Sequence, residues 1–363
     1  MRIALDTQST VGRKTGIGIY TTALLDALRR IAPQHEFIEL SLSREVRMRL
    51  DRRWRWQQWT LPRAAGRARS DLLHVPGFDA PARKRCPVVL TVHDLIGMLF
   101  PHNLPPVSRF YWSRWLPFSV RFADHIIADS EHTRQDIVRL LKIDPARLTV
   151  IPLAAGPQYR PIAQADTLQV VRRKHHLPER FILFVSTLEP RKGIDTLLDA
   201  YAALVPLAPH VPLVITGQHG WYTEQIFAQV KQLGLETRVV FTGYVPDEDL
   251  PAFYNFATVL AFPSRYEGFG LTVLEAMACG TPVVCSNSSS LPEVADDAAL
   301  LTPPDDPAAL TQALLRVLSD ESLWQRLHVQ GLRQAARFSW DNTARQTLAV
   351  YEQVLTRSGR PSL

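Results

Sequence analysis

Short apolar runs recur along the chain at Arg2–Asp6, Phe37–Leu40, Asp71–Val75, Val88–Val92, His125–Ala128 and Leu148–Ile151, with helical stretches between several of them. The first run leads into a loop carrying Gly12, Gly16 and Gly18, and then into apolar positions at Tyr20, Leu24, Leu25 and Leu28, a spacing that lines one face of a helix. Apolar strands alternating with helices predict a parallel sheet covered on both faces. Leu148–Ile151 closes that set, and the Pro/Gly-rich stretch Pro152–Pro161 has the composition of an interdomain linker. A second set follows, with strands expected at Phe181–Val185, Leu213–Thr216, Val239–Thr242, Ala257–Phe262 and Pro282–Cys285, and helices at Ile194–Leu204 and Leu271–Ala278. The pattern gives two doubly wound α/β domains, 1–158 and 159–340. A closing helix over about 341–357, marked by Ala344, Leu348, Val350, Tyr351 and Leu355, is expected to pack back on the first domain.

The composition, 363 residues with 46% hydrophobic and 21% charged, excludes a disulfide-stapled miniprotein and a disordered chain. No apolar run approaches the roughly 18–20 residues that span a bilayer. The opening residues enter a strand pattern and not a signal peptide, so cytoplasmic residence is expected. Cys86, Cys279 and Cys285 show no CxxC or metal-ligand spacing and are expected to be small buried hydrophobes.

The net charge of +6 is unevenly spread: residues 1–160 hold 25 Lys+Arg against 14 Asp+Glu, and the remainder 16 against 21. Two basic-aromatic segments account for much of it. Arg44–Arg69 carries nine arginines with Trp54, Trp56 and Trp59, and Arg109–Phe122 interleaves Phe110, Tyr111, Trp112, Trp115 and Phe118 with Arg114 and Arg121. Indole rings and guanidinium groups together suit a membrane interface with anionic lipid, through which a polyprenyl-diphosphate acceptor would be reached. An exposed loop and a half-buried helix packed within the domain would use the same residues. Nucleic acid binding would too, but no RNA or DNA motif accompanies them, and no nucleic acid partner is expected.

Candidate chemistry concentrates in Ser264-Arg-Tyr-Glu267-Gly268-Phe269-Gly270-Leu271, continuing through Glu275 to Gly280-Thr-Pro282. A strand end, a glycine-bearing loop and a helix start in succession lie at the carboxyl edge of a parallel sheet, where ligands bind. The amides of Phe269, Gly270 and Leu271 would face an anion. Glu275, one turn into the helix, leans back toward the pocket of Glu267. Two carboxylates beside an anion site point to hydroxyl partners, as in a sugar and a ribose. The bland alternative is a simple turn followed by a solvated helix residue.

The flanking residues Val239-Val-Phe-Thr-Gly-Tyr-Val, Ala261-Phe-Pro-Ser-Arg-Tyr-Glu-Gly-Phe-Gly, Leu274-Glu-Ala-Met-Ala-Cys-Gly-Thr-Pro-Val-Val and Leu291-Pro-Glu293-Val resemble the retaining glycosyltransferases of the GT4-type family, over most of residues 180–335 and colinearly but more weakly over 1–160. The resemblance implies the GT-B fold: two Rossmann-like domains facing each other across a cleft, with a C-terminal crossover helix. It further implies a nucleoside-diphosphate sugar donor, no metal or other cofactor, and a same-face displacement assisted by the leaving phosphate.

Residue by residue, Phe181-Ile-Leu-Phe-Val-Ser-Thr-Leu-Glu-Pro-Arg191-Lys192-Gly193 looks like the family's donor-diphosphate loop, with Lys192 as its phosphate lysine. Many members carry an arginine where this chain has Thr187, so the second cation is taken to be Arg191; plain solvation of a helix start by both is the alternative. His93, just past a buried strand, matches a histidine lining the acceptor side near the transferred sugar, although a lone histidine also serves structure. Gly16 and Gly18 match a glycine loop that approaches donor phosphate or acceptor. Ser130 and Thr133 resemble a strand-ending, helix-capping motif. Gly217-Gln-His-Gly-Trp-Tyr and Thr-Leu-Glu-Pro-Arg-Lys-Gly look most like bacterial mannosyltransferases of polysaccharide assembly, which makes GDP-mannose the expected donor and a glycan or lipid-linked acceptor the expected partner.

Asp247-Glu248-Asp249 mimics the metal motif of another transferase fold, but its setting makes Asp247 the expected cap of a helix. His175-His176 lacks partner ligands for a metal. A nucleotide-sugar epimerase of the same fold, or a non-catalytic basic module on a degenerate scaffold, are the alternative functions.

Overall fold

The computed structural model describes residues 1–12, 16–42, 50–77, 79–218, 220 and 223–359. Strands β1 (Arg2–Asp6), β2 (Glu36–Leu40), β3 (Leu72–Val75), β4 (Val88–Val92), β5 (His125–Ala128) and β6 (Leu148–Val150) form one parallel sheet, ordered β2-β1-β3-β4-β5-β6. Strands β7 (Ile182–Val185), β8 (Leu213–Thr216), β9 (Val239–Gly243), β10 (Val259–Phe262), β11 (Val283–Ser286) and β12 (Ala299–Thr302) form the other, ordered β12-β11-β10-β7-β8-β9. β3, β4, β5, β8, β10 and β11 are buried at every position. That explains why their sequences show continuous apolar runs: helices shield both faces, so no polar alternation survives.

The chain divides into residues 1–153 together with the chain from Ser339 onward, and residues 154–338. In the second unit the order reverses between β7 and β10, because the chain leaves β7 for β8 and β9 on one side and returns to β10 on the other. The loops after β7 and β10 therefore diverge at the carboxyl edge, the place where doubly wound sheets bind ligands. The first unit has the same reversal between β1 and β3.

Three local expectations are corrected. Strand β12 was not anticipated, since the four residues Ala-Leu-Leu-Thr carry too little periodicity to separate strand from helix; pairing with β11 decides it. Gly16 and Gly18 are not in a loop but open the helix Gly16–Ile31. Glycine costs least in the first turn, and the apolar face through Tyr20, Leu24, Leu25 and Leu28 carries the helix back over them. The helix Leu250–Phe256 is preceded by Asp249, not by Asp247. There the Pro246 carbonyl accepts the amides of Asp249 and Leu250 at 2.9 and 3.1 Å. The Asp249 carboxylate instead meets Lys174 Nζ at 2.7 Å and His175 Nε2 at 2.8 Å, so His175 has a partner within the unit. Ser130 does cap the helix Glu131–Asp136, accepting the Thr133 amide at 3.1 Å, and all three cysteines are buried.

The C-terminal helix spans Trp340–Arg357, capped where Ser339 Oγ accepts the Asn342 amide at 3.2 Å. Its buried face includes Ala344, Val350, Tyr351 and Leu355. Tyr351 reaches 2.6 Å from Nδ1 of His74 on β3, whose Nε2 lies 2.8 Å from Thr91 Oγ1 on β4. Burial drives the His74 pKa down to about 3, so the ring is neutral and both nitrogens are satisfied. Tyr351→Phe would leave one buried ring nitrogen without a partner. The expected loss is about 1–3 kcal/mol, read as a lower urea midpoint with an unchanged slope, and because His74 stays neutral that loss should not vary between pH 6 and 8.

Candidate active site

Glycine and backbone geometry weld the two switch-point loops of the second unit. Gly193 adopts φ +67°, and a Cβ there would collide with the Pro263 carbonyl at the end of β10. Gly217 adopts φ +142° after β8, and a Cβ would strike the Ser186 carbonyl. Only glycine permits these approaches. The Arg265 amide donates to the Arg191 carbonyl at 2.7 Å. The Arg265 guanidinium spans Asp195 Oδ2 at 2.7 Å and Asp305 Oδ1 at 2.6 Å, and it also reaches the Pro190 carbonyl.

This frame brings three of the expected residues together. Lys192 Nζ donates to Glu267 Oε1 at 2.6 Å, and Arg191 Nη1 lies 3.6 Å from Glu267 Oε2 while its Nε meets Glu189 at 3.0 Å. Lys192 and Glu267 are each 9% exposed. Burial works against the Glu267 carboxylate, but Lys192 and Arg191 outweigh it and hold its pKa below the usual range; burial also pulls the Lys192 ammonium below its usual value, opposed by Glu267. The Ser264 hydroxyl donates to Glu267 Oε1 at 2.6 Å, the Glu267 amide donates to Ser289 Oγ at 2.8 Å, and Ser290 Oγ lies 2.7 Å from the Phe269 carbonyl. Gly268 follows in the same loop. Gly270, at φ +109°, precedes the helix Leu271–Ala278, and the amides of Phe269, Gly270 and Leu271 make no backbone hydrogen bond among the described residues. Cations and open amides at one sheet edge are chemically suited to a multiply charged anion. Thr187, by contrast, is exposed.

Glu275 occupies different surroundings. Tyr254 donates to its Oε2 at 3.0 Å, Tyr159 also bonds it, and no hydrogen bond joins it to Lys192 or Glu267 among the described residues. Burial raises its pKa to about 7 against the pull of both tyrosines. In the motif after Gly217, His219, Trp221 and Tyr222 lie outside the described residues, as do 43–49 of the basic-aromatic segment.

In the first unit His93 follows β4, with Nδ1 2.6 Å from Asp129 Oδ2. The two basic-aromatic segments adjoin: Trp54 meets Trp115 at 5.7 Å between centroids, and Arg63 and Arg83 lie over the Trp59 ring. Buried carboxylates tether them, Asp6 accepting from Trp56 Nε1 at 3.0 Å and Asp79 from Tyr111 at 2.9 Å.

Two family models match in tandem: Glycosyltransferase Family 4 over residues 16–155 and Glycosyl transferases group 1 over 169–334. O-antigen chain mannosyltransferase B of Escherichia coli is 38% identical over 77% of this chain and 74% of its own length. The chain belongs to glycosyltransferase family 4. This glycosyltransferase is also 33% identical to the serotype-specific mannosyltransferase WbdA of Escherichia coli over 81% of the chain, and it spans about a third of that longer protein, 36%. Among solved structures it resembles sucrose-phosphate synthase from Thermosynechococcus elongatus, with a TM-score of 0.79 and 23% identity over 98% of this chain and 100% of that one, a likeness of fold. The two doubly wound units are those of the GT-B class.

Sequence reasoning pointed to Lys192, Arg191 and Glu267, which the structure brings together, but passed over the groups that orient them. Ser264 and Arg265 stood inside the quoted motif, yet nothing in spacing shows that a serine hydroxyl turns inward or that one guanidinium bridges two loops. Tyr159 and Tyr254, far from Glu275 in the chain, gave no local signal.

The raised Glu275 pKa carries a sign. A carboxyl that binds its proton more tightly in the folded state loses stability as pH rises from about 4.5 toward about 7. Glu275→Gln should therefore melt higher than wild type at pH 8, by about 1 kcal/mol after allowing for partial exposure, with the difference vanishing below pH 4.5. Paired thermal melts across that range measure it.

Proposed function

We propose that this glycosyltransferase transfers mannose from GDP-mannose, with retention, to a glycan or lipid-linked acceptor in the assembly of a bacterial polysaccharide or glycolipid. The observation that carries the reading is the buried cluster of Lys192, Arg191 and Glu267 beside the open amides of Phe269–Leu271 at the β7/β10 switch point. In the donor-free protein the Glu267 carboxylate serves both cations as an internal counter-ion. An entering diphosphate supplies a stronger one, which frees Glu267 to accept from sugar hydroxyls. As the sugar–phosphate bond opens, negative charge grows on the diphosphate, and the two cations and the amides stabilise it more than they stabilise the bound donor. These groups neutralise the diphosphate in the role that a metal ion plays elsewhere. Glu275 takes the ribose hydroxyls, Gly217 lets the donor approach the backbone, and the first unit binds the acceptor at His93 near the helix opened by Gly16 and Gly18. The mannosyltransferase relatives support the choice of sugar.

No helix among the described residues is long and apolar enough to cross a membrane. Phe110 and Phe118 are nevertheless exposed, as are Trp54 and Trp59, among arginines 52, 53, 55, 63, 109 and 114. We propose that this face meets anionic lipid at the inner surface of the cytoplasmic membrane. Phe110→Ser should weaken sedimentation with vesicles containing phosphatidylglycerol, and unchanged sedimentation would refute the lipid contact.

Thermal melts with a nucleoside diphosphate panel test the donor assignment. GDP should raise the melting temperature and UDP should not; a shift with UDP alone moves the assignment to a UDP-sugar. Lys192→Ala should lower kcat/KM by about 10²–10³-fold and abolish the GDP shift. Glu267→Gln, which leaves Lys192 without its internal partner, should melt lower than wild type yet show a larger GDP-induced rise at pH 7. An unchanged or smaller rise would refute the counter-ion exchange.

A further inference from the structure

The first unit contains two histidines on adjacent strand segments, His74 on β3 and His93 just past β4, and they are treated differently. His74 is fully buried with both ring nitrogens paired, as a structural histidine requires. His93 commits only one. Its Nδ1 lies 2.6 Å from Asp129 Oδ2 at the end of β5, while its Nε2 and the second carboxylate oxygen, Asp129 Oδ1, are buried and without a hydrogen-bond partner.

Backbone and ring are both held. The Thr133 hydroxyl donates to the His93 carbonyl at 3.4 Å. The Tyr20 ring meets the imidazole edge-on with centroids 4.7 Å apart, and Tyr20 is itself fixed by Thr91 Oγ1 at 3.1 Å, which His74 holds in turn. Beyond Asp129, the Pro76 backbone interacts with the ring by hydrogen bonding, and among the described residues no side chain takes up Nε2, so a firmly oriented imidazole keeps that nitrogen for a group the chain does not supply.

We propose that Asp129 is a positioning residue of the transfer reaction, which holds Nδ1 of His93 so that the ring keeps one orientation and one proton arrangement and Nε2 is kept for the substrate. This rests on the reading of His93 as a substrate-side residue. With Nδ1–H held by the carboxylate, the neutral ring offers Nε2 as an acceptor and the protonated ring offers it as a donor. Asp129 therefore fixes what His93 can present. The charged and titratable groups facing the ring are Asp129, Asp94 beside it in the chain, His74 and Tyr20. Burial disfavours the imidazolium, yet Asp129, with help from Asp94 and the Pro76 backbone, raises the His93 pKa above its ordinary value.

The test uses the full chain as Asp129→Asn, Asp129→Glu, His93→Ala and the double variant Asp129→Asn with His93→Ala. Turnover is measured with GDP-mannose, or with the UDP-sugar if UDP gives the selective melting shift. Asp129→Asn should lower kcat/KM by about 10–100-fold. By ¹⁵N NMR of labelled histidine, His93 should titrate at lower pH, and the acidic limb of the rate profile should move by the same interval. On the His93→Ala background the same change should cost nothing further, since Asp129 acts through His93. Asp129→Glu, which keeps the carboxylate, should retain more activity than the isosteric amide; it also carries the comparison if Asp129→Asn fails to fold. Equal losses in both backgrounds, or an unmoved His93 titration, overturn the proposal. If His93→Ala is inactive and Asp129→Asn behaves as wild type, only the positioning role falls. If His93→Ala is fully active, the reading of His93 falls and takes this proposal with it.

Discussion

A buried ammonium needs an anion, and the second unit is arranged around that requirement. Lys192 leaves water at the switch point between β7 and β10 and finds Glu267 at 2.6 Å. Removing one partner of such a pair leaves an uncompensated charge that costs several kcal/mol, whereas exchanging one anion for a better one does not. On the proposed function, the pair is stable when empty and receptive when a diphosphate arrives. Most of the neighbouring detail serves to hold it: Gly193 lets two loops touch, Arg265 bridges Asp195 and Asp305, and Ser264 and Ser289 orient Glu267.

The two sheets share a topology but divide the chemistry. In the second unit the switch point gathers charge of both signs. In the first, the carboxyl edge carries His93 with Asp129, and the carboxylates Asp6 and Asp79 secure the aromatic, arginine-rich helices. Burial raises the pKa of Asp6 to about 6 and that of Asp79 above its ordinary value, opposed by their hydrogen bonds and by Arg53. The aromatic, arginine-rich surface is thus fastened from beneath by polar bonds inside the domain.

Much of this was legible in the sequence because parallel strands buried on both faces leave uninterrupted apolar runs; β4, β5 and β8 fall at the expected residues. The edge strand β12 did not show, since a four-residue edge strand has neither the length nor the alternation to declare itself. The motif around Glu267 was visible because its glycines and its position before a helix have local causes. Asp129 was not, because its partner lies 36 residues away across a strand pair, and a carboxylate before a capping serine has a sufficient local explanation. Asp249 displaced Asp247 before its helix for a related reason: a carbonyl from Pro246 settled the turn, and the distant side chains of Lys174 and His175 claimed the carboxylate.

The helix Trp340–Arg357 has a consequence for how the protein is made. It completes the first unit, yet it leaves the ribosome after residues 154–338. Until then His74 waits in the nascent chain without its hydroxyl partner and the apolar face of Gly16–Ile31 lacks its cover, so the unit begun first is finished last. Vectorial synthesis thus favours closure of the second unit while the first is still open.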